Sequence, residues 1–194
     1  MEIRSRTEIT SMRRWLAVML LTCATALWLI VTFHSRVNDL ETLARAGAIE
    51  SGAPIKASVE IVIQAPAEKV WSVLTAVNNW PKWQSDIKEA EMIGPLESGT
   101  AFTWRSGGTR IRSKIALVEP NKEIAWTGTA LNATAVHVWK LEQLPGNKTL
   151  VKTEESMSGF LLTLFYSSQE LQTIDQTWLD RLKREAERQG SMPR

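Results

Sequence analysis

Between Asp86 and Gly159 the chain repeats one pattern six times: a short segment of alternating apolar and polar residues, then a cluster of turn formers. "DIKEAEMIG" precedes "PLESG", "TAFTWRS" precedes "GGT", and "RIRSKIALVE" precedes "PNKE". "IAWTGTA" precedes "LNA", "TAVHVWKLEQL" precedes "PGN", and "KTLVKTEESM" precedes "SG". Period-two alternation predicts strands, and connections this short allow only antiparallel neighbours. A seventh strand is predicted upstream in "ASVEIVIQAP", where Val59, Ile61 and Ile63 share one face.

Helices flank this meander. "PAEKVWSVLTAV" carries Pro66 at a first helical position, Glu68 in the first turn and Val70, Trp71, Leu74 and Val77 at helical spacing. "NNWPKWQ" ends it and adds one more turn. The closing segment, "FLLTLFYSSQELQTIDQTWLDRLKREAERQ", is predicted helical, with Leu171, Ile174, Trp178 and Leu182 as its apolar stripe. That stripe must be buried against one face of the sheet. A curved sheet gripping one helix need not fill the space between them, and such space is a natural ligand site.

A different constraint governs the N-terminus. Residues 15–33, "WLAVMLLTCATALWLIVTF", hold no charge. Nineteen helical residues rise about 28 Å, close to the hydrocarbon thickness of a bilayer. Arg4, Arg6, Arg13 and Arg14 precede the run, and Arg36 and Arg45 follow it. This asymmetry predicts a cytoplasmic tail (1–14), a transmembrane helix (15–33), a tether (34–57) and a domain (58–190) beyond an inner or cytoplasmic membrane. The alternative is a secreted protein cleaved after Ala24-Thr25-Ala26, which would leave "LWLIVTF" as an unfavourable soluble N-terminus.

From Ser58 onward, sixteen Lys plus Arg balance sixteen Asp plus Glu, so no basic surface for nucleic acid is expected. Cys23 is the only cysteine, which excludes an internal disulfide. His34 and His137 lie in separate regions, so no metal site and no cofactor are expected. No nucleophile elbow, P-loop or dinucleotide glycine fingerprint is present.

"IQAPAEKVWSVLTAVNNWPKWQSDI" resembles the opening of the SRPBCC superfamily, the START-like, polyketide cyclase/dehydrase type of helix-grip domain. The matching residues are Ala65, Pro66, Glu68, Val70, Trp71, Leu74, Trp80 and Trp83. "GNKTLVKTEESMSG" and "LDRLKREAE" are similar to its last strand and closing helix. The resemblance covers about residues 58–188. It implies an α+β fold: a curved seven-stranded antiparallel sheet wrapped around a long C-terminal helix, with two short helices after the first strand. It leaves function open, since this fold hosts lipid carriers, cyclases, receptors and co-chaperones.

The cavity residues expected from this frame are Trp80, Trp83, Phe102, Trp104, Ile115, Trp126, His137, Trp139, Thr153, Phe160, Leu164, Leu171 and Trp178. In the resemblance, Trp80 and Trp83 lie at the cavity's open end. If "PGN" is a three-residue loop, Leu144 pairs with Lys148 and His137 falls opposite Glu155, with Trp139 opposite Thr153. His137 and Glu155 are the candidate acid/base couple, although such pairs are more often structural. The expected function is a membrane-anchored binding protein for a hydrophobic or amphipathic small molecule such as a lipid. A cyclase/dehydrase-like enzyme and a co-chaperone-like protein-interaction domain are the alternatives.

Overall fold

The computed structural model describes residues 3–131, 133–160, 162–164 and 166–190. The chain forms two units, one through Asp39 and one from Leu40 onward.

The first unit lies within α1, which runs Ile3–Arg45. Among the described residues, the part from Arg14 is the one helix long and apolar enough to cross a membrane. Its hydroxyls suit that environment. Thr22, Thr25 and Thr32 donate back to the carbonyls of Met19, Leu21 and Leu29. Backbone oxygen thus satisfies donors that lipid could not.

The second unit begins with the last turns of α1. Leu40 and Ala44 are buried against Ala116, Ala125, Val136 and Val138. Lys114 donates to Glu41 at 3.0 Å and ties the helix end to the sheet. Gly47 then stops the helix at φ +62°. Gly47 N–H bonds the Ala44 carbonyl at 3.1 Å and Ala48 N–H the Leu43 carbonyl at 3.0 Å, the Schellman arrangement. The segment that follows is held to the sheet by Glu50, whose N–H donates to Ser156 Oγ at 3.0 Å.

The elements after it are β1 (Ile55–Ile63), α2 (Ala67–Thr75), α3 (Trp80–Trp83) and β2 (Ile87–Met92). Next come β3 (Ala101–Ser106), β4 (Thr109–Glu119), β5 (Glu123–Ala130) and β6 (Ala133–Leu144). β7 (Lys148–Gly159) and α4 (Ser168–Gly190) close the chain. The seven strands form one antiparallel sheet in the order β1-β7-β6-β5-β4-β3-β2. This is the helix-grip α+β fold that the alternating segments and the resemblance imply.

Four details differ from the sequence reading. β1 starts at Ile55, ahead of the run read from Ala57. Pro66 is the N-cap of α2 rather than its first residue, and Ala67 N–H is satisfied by Gln143 Oε1 at 2.8 Å. Alternation in "RIRSKIALVE" puts Leu117 on one face with Ile111, Ser113 and Ile115, but a bulge at Ala116 turns it toward the Leu40 cluster. The closing helix begins at Ser168, not Phe160. Ser167 and Glu170 form a capping box there, with Ser167 N–H donating to Glu170 Oε2 at 2.8 Å and Glu170 N–H to Ser167 Oγ at 3.2 Å. Leu162–Leu164 make a separate short 3₁₀ turn. Asn132, Leu161 and Phe165, read as part of a turn and of that helix, lie outside the described residues.

The tryptophans explain the core. Trp80 is buried at its centre, 5.1 Å from Trp178 and 5.7 Å from Phe102 between ring centroids, both edge-to-face. Trp80 Nε1–H donates to the Leu74 carbonyl at 2.8 Å, so its one polar atom is satisfied inside the core. α4 supplies Trp178, Leu179, Leu182 and Ala186 to the same cluster. Ile174, expected on that stripe, is 41 % exposed, and the buried face instead carries Asp175 at 0 %.

Candidate functional site

The aromatic core fills one part of the space between sheet and helix and leaves a pocket elsewhere on the concave face. The pocket holds about 70 Å³. Trp104, Ile111, Trp126 and Met157 give it apolar walls, and His137 and Glu155 are its charged lining residues. It exists because Gly128, Ala130, Ala133 and Ala135 present little or no side chain to it. Trp104 is held as a wall by donating its Nε1–H to Ser113 Oγ at 3.0 Å.

The β6–β7 register builds the polar end. Leu144 pairs with Lys148, His137 with Glu155 and Trp139 with Thr153, as the three-residue loop predicts. Gly146 and Asn147 take the positive φ values, +78° and +55°, that this loop needs. α4 contributes the third group. Asp175 sits one turn from Leu171 and from Leu179, both buried, so helix geometry drives its carboxylate inward with them. Glu155 Oε2 lies 3.2 Å from His137 Nε2, and Asp175 Oδ1 lies 3.6 Å from the same nitrogen.

These groups are electrostatically strained. Burial opposes a charged imidazole, but the charges of Glu155 and Asp175 and contact with Asp175 outweigh it and hold His137 above the usual histidine range. Burial pushes Glu155 up to about 8; the His137 charge opposes this and Asp175 adds to it. At neutral pH the low-dielectric site thus keeps a proton on Glu155, which reduces its net negative charge. Hydrogen bonding is incomplete as well. His137 Nε2, both Asp175 oxygens, Trp139 Nε1 and Thr153 Oγ1 are buried without a hydrogen-bond partner. Buried polar atoms are normally paired, so this group of orphans on one face of the sheet makes it the candidate site.

The expected cavity residues separate into several places. Trp104, Trp126 and His137 line the pocket. Trp80, Phe102, Ile115, Trp139 and Trp178 belong to the packed core, and Trp83 packs at its margin. Thr153 is fully buried opposite Trp139. Leu171 joins a small cluster with Ile55 and Ala57. Phe160 and Leu164 are exposed, at 76 % and 70 %. Sequence reasoning missed Asp175 and Gly128. The signal for Asp175 was present: an acid four residues after Leu171 and three before Trp178 falls inside the apolar stripe.

Comparison with known proteins agrees with this architecture. A hypothetical protein from Helicobacter pylori superimposes with a TM-score of 0.63 at 22 % identity, over 70 % of this chain and 90 % of that one. The Zhui aromatase/cyclase from Streptomyces does so with a TM-score of 0.57 at 17 % identity, over 69 % and 93 %. A START superfamily protein from Mycobacterium smegmatis gives 0.54 at 14 % identity, over 68 % and 92 %. At these identities the likeness is one of fold. No curated protein matches the chain. The family model described as "Polyketide cyclase / dehydrase and lipid transport" matches residues 54–187, and the chain belongs to that family.

Proposed function

We propose that this protein binds an apolar or amphipathic small molecule, lipid-like in character, and that α1 holds it at the membrane where such molecules concentrate. The observation that carries this reading is the pocket: apolar walls of Trp104, Ile111, Trp126 and Met157 beside the charged pair His137 and Glu155. Apolar walls with a few convergent polar groups are the usual construction of a small-molecule site. The family description, with its mention of lipid transport, supports the same reading. The four arginines before residue 15, against two after the apolar run, favour a cytoplasmic N-terminus and a binding domain outside it.

The polar cluster favours a second reading, an enzyme of the cyclase/dehydrase kind. Glu155, pushed up to about 8, holds a proton near neutrality that it could donate to a bound substrate, with the charged imidazole of His137 beside it to stabilise the carboxylate left behind. The aromatase/cyclase among the fold relatives is consistent with such chemistry.

One experiment addresses the first reading directly. The full chain is purified in lipid nanodiscs, extracted with organic solvent, and the extract compared with that of empty nanodiscs. A defined compound at about one per chain, whose readdition changes the fluorescence of Trp104 and Trp126, is the expected result. An extract identical to the control, with no fluorescence response to a panel of fatty acids and polyketide-like aromatics, rejects it.

A further inference from the structure

We propose that His137, Glu155 and Asp175 form a three-ligand site for one divalent transition-metal ion, with Zn²⁺ the best-matched probe. The inference goes beyond the small-molecule reading and does not depend on it.

Geometry is the first argument. The donor atoms of the three side chains all lie within 4.8 Å of one another. The His137 nitrogen stands 3.2 Å from Glu155 and 3.6 Å from Asp175. Two donors sharing a tetrahedral zinc at about 2.0–2.1 Å are about 3.3 Å apart, a value between these two separations. Charge-assisted hydrogen bonds between the same groups would be shorter, about 2.7–2.9 Å. His137 Nε2 and both oxygens of the fully buried Asp175 make no hydrogen bond. The three groups are gathered without being satisfied by one another.

Charge is the second argument. A neutral imidazole and two carboxylates carry two negative charges, and a divalent ion cancels both. The filled site is therefore electroneutral. One imidazole with two carboxylates suits zinc, iron or manganese better than calcium, which prefers an all-oxygen shell.

Access is the third. His137 and Glu155 line the pocket, so an ion has a route in and, once bound, keeps a side facing the pocket. Three protein ligands with an open position are the arrangement of a reactive rather than a purely structural metal.

The test uses the full chain in detergent micelles, tag-free and stripped with a chelator, titrated with Co²⁺ alone. Expected is a visible Co²⁺ ligand-field band that saturates at one ion per chain and disappears on adding Zn²⁺. Asp175→Asn should weaken Co²⁺ binding at least about tenfold. His137→Ala should remove the band and His34→Ala should leave it intact. No band in the native chain, or an equal band in His137→Ala, overturns the proposal. If His137→Ala loses its near-ultraviolet tryptophan dichroism, Glu155→Gln replaces it, because it keeps the shape of the side chain. Undiminished Co²⁺ affinity in Glu155→Gln then overturns the site. No organic ligand enters these measurements, so their failure leaves the small-molecule reading standing.

Discussion

Asp175 Oδ1 stands 3.6 Å from His137 Nε2, on the buried face of α4, and neither Asp175 oxygen has a hydrogen-bond partner among the described residues. A carboxylate held this way contributes little to stability and much to the local potential. Glu155 lies 3.2 Å from the same nitrogen. Its proton is held by burial and by the Asp175 charge, so removing that charge favours an ionised Glu155 that pairs with His137.

The first prediction follows from that relationship. In the presence of chelator, Asp175→Asn should raise the stability of the domain, by roughly 1 kcal/mol or more, because a buried charge is replaced by a neutral group of the same shape. Urea denaturation followed by tryptophan fluorescence measures it. A clear loss of stability would make Asp175 a structural partner of His137, not a group retained for function.

Gly128 gives a second prediction. It lies within β5 and lines the pocket, and a methyl group built on it would meet Ser113 Oγ at 3.5 Å, Ile111 Cγ2 at 3.6 Å and Ala135 Cβ at 3.9 Å. These are ordinary contacts, so Gly128→Ala is accommodated without strain. It should stabilise the strand by about 0.5–1 kcal/mol through reduced chain entropy. It should also weaken ligand binding, since one methyl removes a sizeable share of a pocket of about 70 Å³. Stability and affinity moving in opposite directions in one variant would identify the pocket as the binding site. Unchanged affinity for the extracted compound would place binding elsewhere.

How far the sequence was legible depends on how local each rule is. The His137–Glu155 pairing follows from counting residues across Pro145-Gly146-Asn147, and the register obeys that count. Leu117 escaped the same reasoning because the bulge at Ala116 is one extra residue that no alternation rule reveals. Asp175 escaped because reading the stripe through Ile174 assigns the buried face by hydropathy. The packing instead rotates the helix so that Leu171, Asp175, Trp178 and Leu182 point inward. The abundance of tryptophan suited both a cavity and a core, and only packing shows that Trp80, Trp139 and Trp178 fill volume while Trp104 and Trp126 bound it. Val136 and Val138 posed a different problem. They are buried on the convex face by Leu40 and Ala44, residues distant in sequence that read as part of a tether.

That covering yields the third prediction. A soluble chain beginning at residue 38 should be more stable than one beginning at residue 50. The shorter chain exposes Ala116, Ala125, Val136 and Val138 and loses the buried Leu40 and Ala44. The difference should be about 2–4 kcal/mol from the apolar area uncovered. Urea midpoints of the two chains decide the matter. Equal midpoints would mean that the end of α1 rests on the sheet without stabilising it.

The membrane orientation gives the fourth. Cys23 is the only cysteine and lies in the apolar stretch of α1, so a Cys23→Ser background allows single reporters on either side. Ser5→Cys lies with the N-terminal arginines, and Ser51→Cys sits on an exposed turn just before β1. Four arginines before the apolar run against two after it favour retention of the N-terminus in the cytoplasm. In intact cells, a membrane-impermeant maleimide should therefore label Ser51→Cys and spare Ser5→Cys until the membrane is opened. Labelling of Ser5→Cys alone would invert the topology and put the pocket on the cytoplasmic side. Recovery of Ser51→Cys from the soluble extracellular fraction would instead show cleavage within the apolar run, as the Ala24-Thr25-Ala26 reading requires.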